Sequence, residues 1–130
     1  MKAVYITEHG GPDALAVGER PDPKPGPNDA LIRVRACALN RHDLYARAGE
    51  RGTRLALDEP HILGGDIAGD VVEVGSEVTR LAVGERVVVN PRLTCRQCPA
   101  CVAGQTELCE RPGMIGATAN GGYAELAVAP

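Results

Sequence analysis

Cys95, Cys98, Cys101 and Cys109 form a C-x2-C-x2-C-x7-C array that holds four of the chain's five cysteines. Four thiolates on short loops suit tetrahedral zinc, with Zn–S bonds of about 2.3 Å, and a closed shell of four sulfurs leaves no position for substrate. The expected chemistry is therefore structural rather than catalytic. The residues between them, Arg96, Gln97, Pro99, Gly104 and Gln105, are polar or turn-forming. Such residues cannot hold a lobe together by packing, so the metal takes the place of a core over about residues 91–113. Disulfides are disfavoured, because adjacent C-x2-C pairs would close small strained loops and a reducing compartment opposes them. A redox-labile thiol cluster and an iron–sulfur centre are the remaining alternatives.

The second group of chemically capable residues is the run Asn40-Arg41-His42-Asp43-Leu44-Tyr45. Asn40 with an acidic residue three positions later reads as a helix start, Leu44 and Ala48 follow at helical spacing, and Gly49 closes the helix. The imidazole of His42 can relay protons, although a surface histidine is the plainer reading. Tyr45 carries a phenol that can donate a proton, or it belongs to the core. Further on, His61 and Asp66 flank the pair Gly64-Gly65. The spacing of Gly64 and Gly69 imitates a phosphate loop, but Asp70 and Val71 stand where that loop needs Lys and Ser or Thr. These glycines read instead as a tight turn with close backbone packing.

The elements that must position these groups are short. Met1 to Thr7 and Leu15 to Glu19 read as strands of an opening hairpin around Gly10-Gly11-Pro12. Pro21, Pro23, Pro25 and Pro27 make residues 20–28 a stiff connection that is neither helix nor central strand. Ala30 to Ala38 alternates Ile32, Val34 and Ala36 against Leu31, Arg33 and Arg35, the period of a strand with one buried face. Cys37, out of phase with Val34 and Ala36, is read as a small buried hydrophobe. Residues 49–59 form a loop, and Asp66 to Val74, Glu85 to Val89 and Tyr123 to Val128 supply further strands. Many short strands with glycine-rich turns predict a mainly β fold, a sandwich or partly open barrel with short helices and the metal lobe.

Composition narrows the function classes. The 130 residues are 44% hydrophobic and 24% charged, in keeping with one globular domain. A net charge of −3 and only three aromatic residues, Tyr5, Tyr45 and Tyr123, provide neither the basic surface nor the stacking platforms of a nucleic-acid binder. No apolar run approaches the roughly 20 residues of a membrane span, and Lys2 and Glu8 break up any secretory hydrophobic region. The expectation is a cytoplasmic protein without nucleic-acid or membrane partners.

Read in order, MKAVYITEHGGPDAL, ACALNRHDLYARAG, PHILGGDIAGDVVEVGSEV, VGERVVVNP, the four-cysteine lobe and GGYAELAVAP resemble the N-terminal, GroES-like domain of the medium-chain dehydrogenase/reductase superfamily. That superfamily contains the zinc alcohol dehydrogenases and the quinone oxidoreductases. The resemblance implies that residues 1–130 are a catalytic domain, closing over NADP or NAD held by a Rossmann domain. That second domain is expected to lie outside this chain, since no G-x-G-x-x-G lies between a strand and a helix here. It also implies a small-molecule substrate, a nicotinamide cofactor bound through the second domain, a homo-oligomer at full length, and no activity for this domain alone.

Two positions depart from the alcohol dehydrogenase pattern. Asn40 stands where a zinc-binding cysteine is expected, and Gly64-Gly65-Asp66 replaces a Gly-His-Glu triplet. The usual catalytic zinc site therefore lacks its thiolate and imidazole. The Asn40 run is similar instead to the zinc-independent quinone oxidoreductases, which implies hydride transfer to a carbonyl, quinone or enone. By that resemblance Asn40 binds the cofactor, lying beside the nicotinamide or the substrate carbonyl, where its amide donates a hydrogen bond to developing negative charge on oxygen. Arg41 contacts the cofactor pyrophosphate, with His42 and Asp43 beside it, and Tyr45 is the proton donor. Two alternatives remain: an alcohol dehydrogenase with an unusual ligand set drawn from His42, His61 and Asp66, and a stand-alone zinc-stabilised binding module.

Overall fold

The computed structural model describes all 130 residues and resolves three open sheets rather than a closed barrel. The opening hairpin pairs β1 (Lys2–Ile6) with β2 (Leu15–Glu19), Val4 facing Val17, across a 3-10 turn at Pro12–Ala14. Residues 20–29 carry no helix or strand, as their prolines require. Next come β3 (Ala30–Ala38) and α1 (Arg41–Ala48). A two-residue strand, β4 (His61–Ile62), pairs with β1 and completes a sheet of order β2-β1-β4.

The larger sheet has the order β6-β5-β3-β9, with β5 spanning Asp66–Val74, β6 spanning Arg86–Val88 and β9 spanning Leu126–Ala129. Between β6 and β9 lies the cysteine lobe. Its base is the antiparallel pair β7 (Arg92–Leu93) and β8 (Gly113–Met114), and between them lie one turn of helix, α2 (Pro99–Val102), and a 3-10 turn at Thr106–Leu108. Two small cores serve the sheets. Ile32, Ile67, Ile115, Ala127 and Ala129 pack on the larger one, and Ile6, Ala46 and Leu63 join the hairpin to α1. No helix is long and apolar enough to cross a membrane.

Two differences from the sequence-based expectations have a structural cause. The register of β3 on β5 slips between Val34 and Ala36, which face Gly69 and Ala68 in turn. The extra residue at this bulge reverses the alternation beyond it, so Ala36 is exposed whereas Cys37 packs towards the larger core. The last strand begins at Leu126 rather than Tyr123. The backbone of Tyr123 is occupied by the opening hairpin and the glycine turn, its carbonyl accepting from Val4 N–H at 2.7 Å and its N–H donating to Leu63 at 3.1 Å.

Candidate active site and metal lobe

The lobe brings all four expected ligands together. The sulfurs of Cys95, Cys98, Cys101 and Cys109 lie within 4.8 Å of one another, and those of Cys95 and Cys101 are 3.9 Å apart. A tetrahedron with Zn–S bonds of about 2.3 Å has edges of about 3.8 Å, so the cluster fits the ion. Backbone N–H groups already point at the sulfurs. Cys98 donates to Cys95 Sγ at 3.3 Å, and Cys95 and Arg111 donate to Cys109 Sγ at 3.3 and 3.4 Å. Donation from the Gln97 and Cys98 amides draws the Cys95 thiol down to about 6. Cys98 is lowered by the amides of Glu110 and Cys101, whereas desolvation pushes Cys101 up to about 12. The amide donors thus favour the thiolate form of Cys95 and Cys98, the form in which they would ligate a metal. Cys37 forms no part of this group.

The second site is built where β3 runs into α1. Asn40 caps the helix, its Oδ1 accepting from His42 N–H at 3.0 Å, while its own N–H donates to Asp43 Oδ2 at 2.9 Å. This reciprocal cap satisfies two groups at the helix start and fixes the Asn40 side chain. Gly49 ends the helix at φ 73°, and His9 reaches over from the opening hairpin, its Nδ1 3.0 Å from the carbonyl of Ala46. Its Nε2 accepts from Leu55 N–H at 3.2 Å, which ties the 49–59 loop to the same helix.

Asp43 is the buried polar centre of the site, only 6% exposed. Its carboxylate accepts from Asn40 N–H, from Gly64 N–H at 3.2 Å and from the Tyr123 hydroxyl at 2.7 Å. Three segments distant in sequence therefore converge on one side chain. Burial, with the Asp43 carboxylate beside it, raises the Tyr123 phenol well above the usual tyrosine value. Burial likewise pushes the Cys37 thiol up to about 11, with Asp43 and Asp66 adding to the effect. Gly64 is essential to this packing. It sits at φ 96°, and a Cβ there would meet the Tyr123 ring at 2.7 Å and Cys37 Sγ at 2.9 Å.

The other candidates are spread around this centre. Asn40 is exposed, and its Nδ2 donates to Asp66 Oδ2 at 2.8 Å. Arg41 is exposed and belongs to none of the ion pairs, which join the N-terminus to Glu19 and Asp22 and Arg35 to Asp70. Its guanidinium is free for an anion. His42 is half-buried and lines a cavity of about 310 Å³ with Arg54, Leu55, Met114 and Thr118. Tyr45 makes no hydrogen bond to Asn40, and its ring lies under the Arg51 guanidinium, 5.0 Å from it. His61 sits in β4 with Nε2 buried and unpartnered, and desolvation lowers its pKa.

No second metal cage is assembled. The four lobe cysteines are the one group of three or more His, Cys, Asp or Glu side chains with converging ligand atoms, so His42, His61 and Asp66 do not form one. Position 65 carries no ligand atom, and a Cβ there would be crowded, 3.0 Å from the Ile115 carbonyl oxygen and 3.2 Å from the Pro91 Cβ. Sequence reasoning missed Tyr123 as a partner of Asp43 and Asp66 as the partner of Asn40. The only local signal was a polar residue beside a glycine pair in each case, Gly64-Gly65-Asp66 and Gly121-Gly122-Tyr123.

Comparison with known proteins places this architecture. The family model of the alcohol dehydrogenase GroES-like domain matches residues 26–130. The L-galactonate-5-dehydrogenase of Escherichia coli strain K12 is 34% identical over 119 residues, covering 92% of this chain and 34% of its own length. A crystal structure of an NAD-dependent alcohol dehydrogenase superposes with a TM-score of 0.92 at 42% identity, over 100% of this chain and 37% of that one. A cobalt- and zinc-bound thermostable alcohol dehydrogenase from Pyrobaculum aerophilum gives 0.89 at 40% identity, over 100% of this chain and 39% of that one. The chain belongs to the alcohol dehydrogenase GroES-like domain family of the medium-chain dehydrogenase/reductase superfamily. It spans about a third of the length of the curated relatives it matches.

Proposed function

We propose that residues 1–130 form the catalytic domain of an NAD(P)-dependent oxidoreductase that reduces a carbonyl, quinone or enone by hydride transfer, with a structural zinc and no catalytic zinc. The observation that carries this reading is the Asn40–Asp66 hydrogen bond of 2.8 Å, which places an amide and one carboxylate where β3 ends and β5 begins. An open catalytic zinc site needs three protein ligands. Here Asn40 stands in place of a thiol ligand and position 65 has no side chain.

The nicotinamide supplies the hydride when bound. The chain's own residues position, orient and exclude water. Asn40 presents an amide N–H to the oxygen on which negative charge develops. Arg41, exposed and unpaired, answers the cofactor pyrophosphate, with His42 beside it. Asp43 holds the helix start from inside, and Tyr45 is the proton donor for the reduced oxygen. Cys95, Cys98, Cys101 and Cys109 hold the zinc away from this chemistry.

The rival reading, an alcohol dehydrogenase with unusual catalytic ligands, is favoured by the metal-bound relative and opposed by the donor set. Elemental analysis of the full-length protein separates the two. One zinc per chain, with phenanthrenequinone reduced by NADH or NADPH, is the expected result, and Asn40→Ala lowers kcat about a hundredfold. Two metals per chain, with activity lost when the second is removed, would overturn the proposal.

A further inference from the structure

We infer that Asp66 is a positioning residue for the same reaction, acting through Asn40; the inference rests on the role proposed for Asn40. A terminal amide can turn end for end, and a donor is useful only if it is held one way round. Both ends of this amide are specified. Oδ1 accepts from His42 N–H at 3.0 Å, and Nδ2 donates to Asp66 Oδ2 at 2.8 Å. Turning the group over would set its NH2 against the His42 N–H and its oxygen against the Asp66 carboxylate. Two hydrogen bonds would become two repulsive contacts.

The arrangement leaves a count of hydrogens. Nδ2 carries two, Asp66 takes one, and the second is the donor available to a substrate oxygen. Asp66 is committed to no cation, because the ion pairs of this chain involve other residues. Its place is set by the sheet. Asp66 opens β5 directly opposite Ala38, the last residue of β3, two positions before Asn40. The 26-residue separation between the pair is bridged by that register.

The test uses the full-length protein, phenanthrenequinone as the probe and NADH or NADPH as the reductant, with zinc content measured for each variant. Asp66→Ala is expected to lower kcat about tenfold with the cofactor KM unchanged. Asp66→Asn keeps a carbonyl that can accept from Nδ2, and it is expected to recover most of that loss. In an Asn40→Ala background, Asp66→Ala should cost nothing further. The same tenfold loss in that background would mean that Asp66 acts independently of Asn40 and would overturn the inference. So would an unchanged kcat in Asp66→Ala while Asn40→Ala is impaired. If Asn40→Ala itself keeps full kcat, the proposed role of Asn40 fails and the inference falls with it. That variant alone tells the two failures apart.

Discussion

Removing the Asp43 carboxylate should be the most damaging single change short of the zinc ligands. Asp43→Ala strips the acceptor from three donors at once, the N–H groups of Asn40 and Gly64 and the hydroxyl of Tyr123. A hydrogen bond to a charged group contributes about 1.5–3 kcal/mol, and a buried donor left without a partner costs about 1–3 kcal/mol. The three share one carboxylate, so their losses do not sum. The expected cost is about 3–5 kcal/mol, the range found when one partner of a buried charged network is deleted. Against a typical stability of about 5–15 kcal/mol, this is a large share. Tyr123→Phe removes one of the three bonds and should cost about 1.5–3 kcal/mol. Urea titration of the zinc-loaded protein, followed by far-UV circular dichroism, measures both. Adding Tyr123→Phe to Asp43→Ala should then cost much less than it does alone, because the hydroxyl has already lost its acceptor. A loss below about 1 kcal/mol for Asp43→Ala, or strict additivity of the pair, would refute the assignment of Asp43 as the common acceptor.

Four other outcomes follow from the same geometry. Cys98→Ser or Cys109→Ser should lower zinc content from one per chain and make the lobe, residues 91–113, the first region cut by protease, since it has few apolar contacts of its own. In zinc-loaded protein Cys37 should react with a disulfide reagent at pH 8 about a hundredfold more slowly than an unperturbed thiol, because its pKa, raised to about 11, leaves little thiolate. The raised values of Cys37 and Tyr123 also set the sign of the alkaline response. The folded state retains protons that the unfolded chain releases, so Cys37's contribution is whole below pH 9 and is lost between pH 9 and about 11, with Tyr123 adding its loss above pH 10. Urea midpoints across that range should fall for the parent and fall less for Cys37→Ala. Gly64→Ala should destabilise by more than about 2 kcal/mol, since φ 96° is unfavourable for alanine and its methyl would strike the Tyr123 ring and Cys37 Sγ; an unchanged melting temperature would contradict the packing.

Much of the local structure was legible because short-range physics decides it. Asn40 and Asp43 announce the helix by capping, and Gly49 announces its end by a left-handed φ that few other residues adopt. Prolines at alternate positions exclude a helix or central strand over 20–28. The zinc lobe was legible for a different reason: its ligands are close in sequence, and short loops suffice to bring four sulfurs within reach of one another. Its small elements were not, because β7, β8 and α2 are too short for any periodicity to show.

The polar centre around Asp43 depended on the tertiary structure. That Asn40 begins a helix is local, but that its Nδ2 meets Asp66 follows from the register of β3 on β5. Alternation along β3 predicted the wrong environment for Ala36, since a bulge opposite Gly69 and Ala68 shifts the phase by one residue. Nothing near Asp43 in the chain foretells Tyr123, 80 residues away, as the donor to its carboxylate. Capping, turn chemistry and clustered metal ligands are encoded within a few residues, and the amino-acid sequence by itself determined them. Partners brought together across strands depend on register and bulges, which the packing of the whole sheet selects, and only the folded chain decided those.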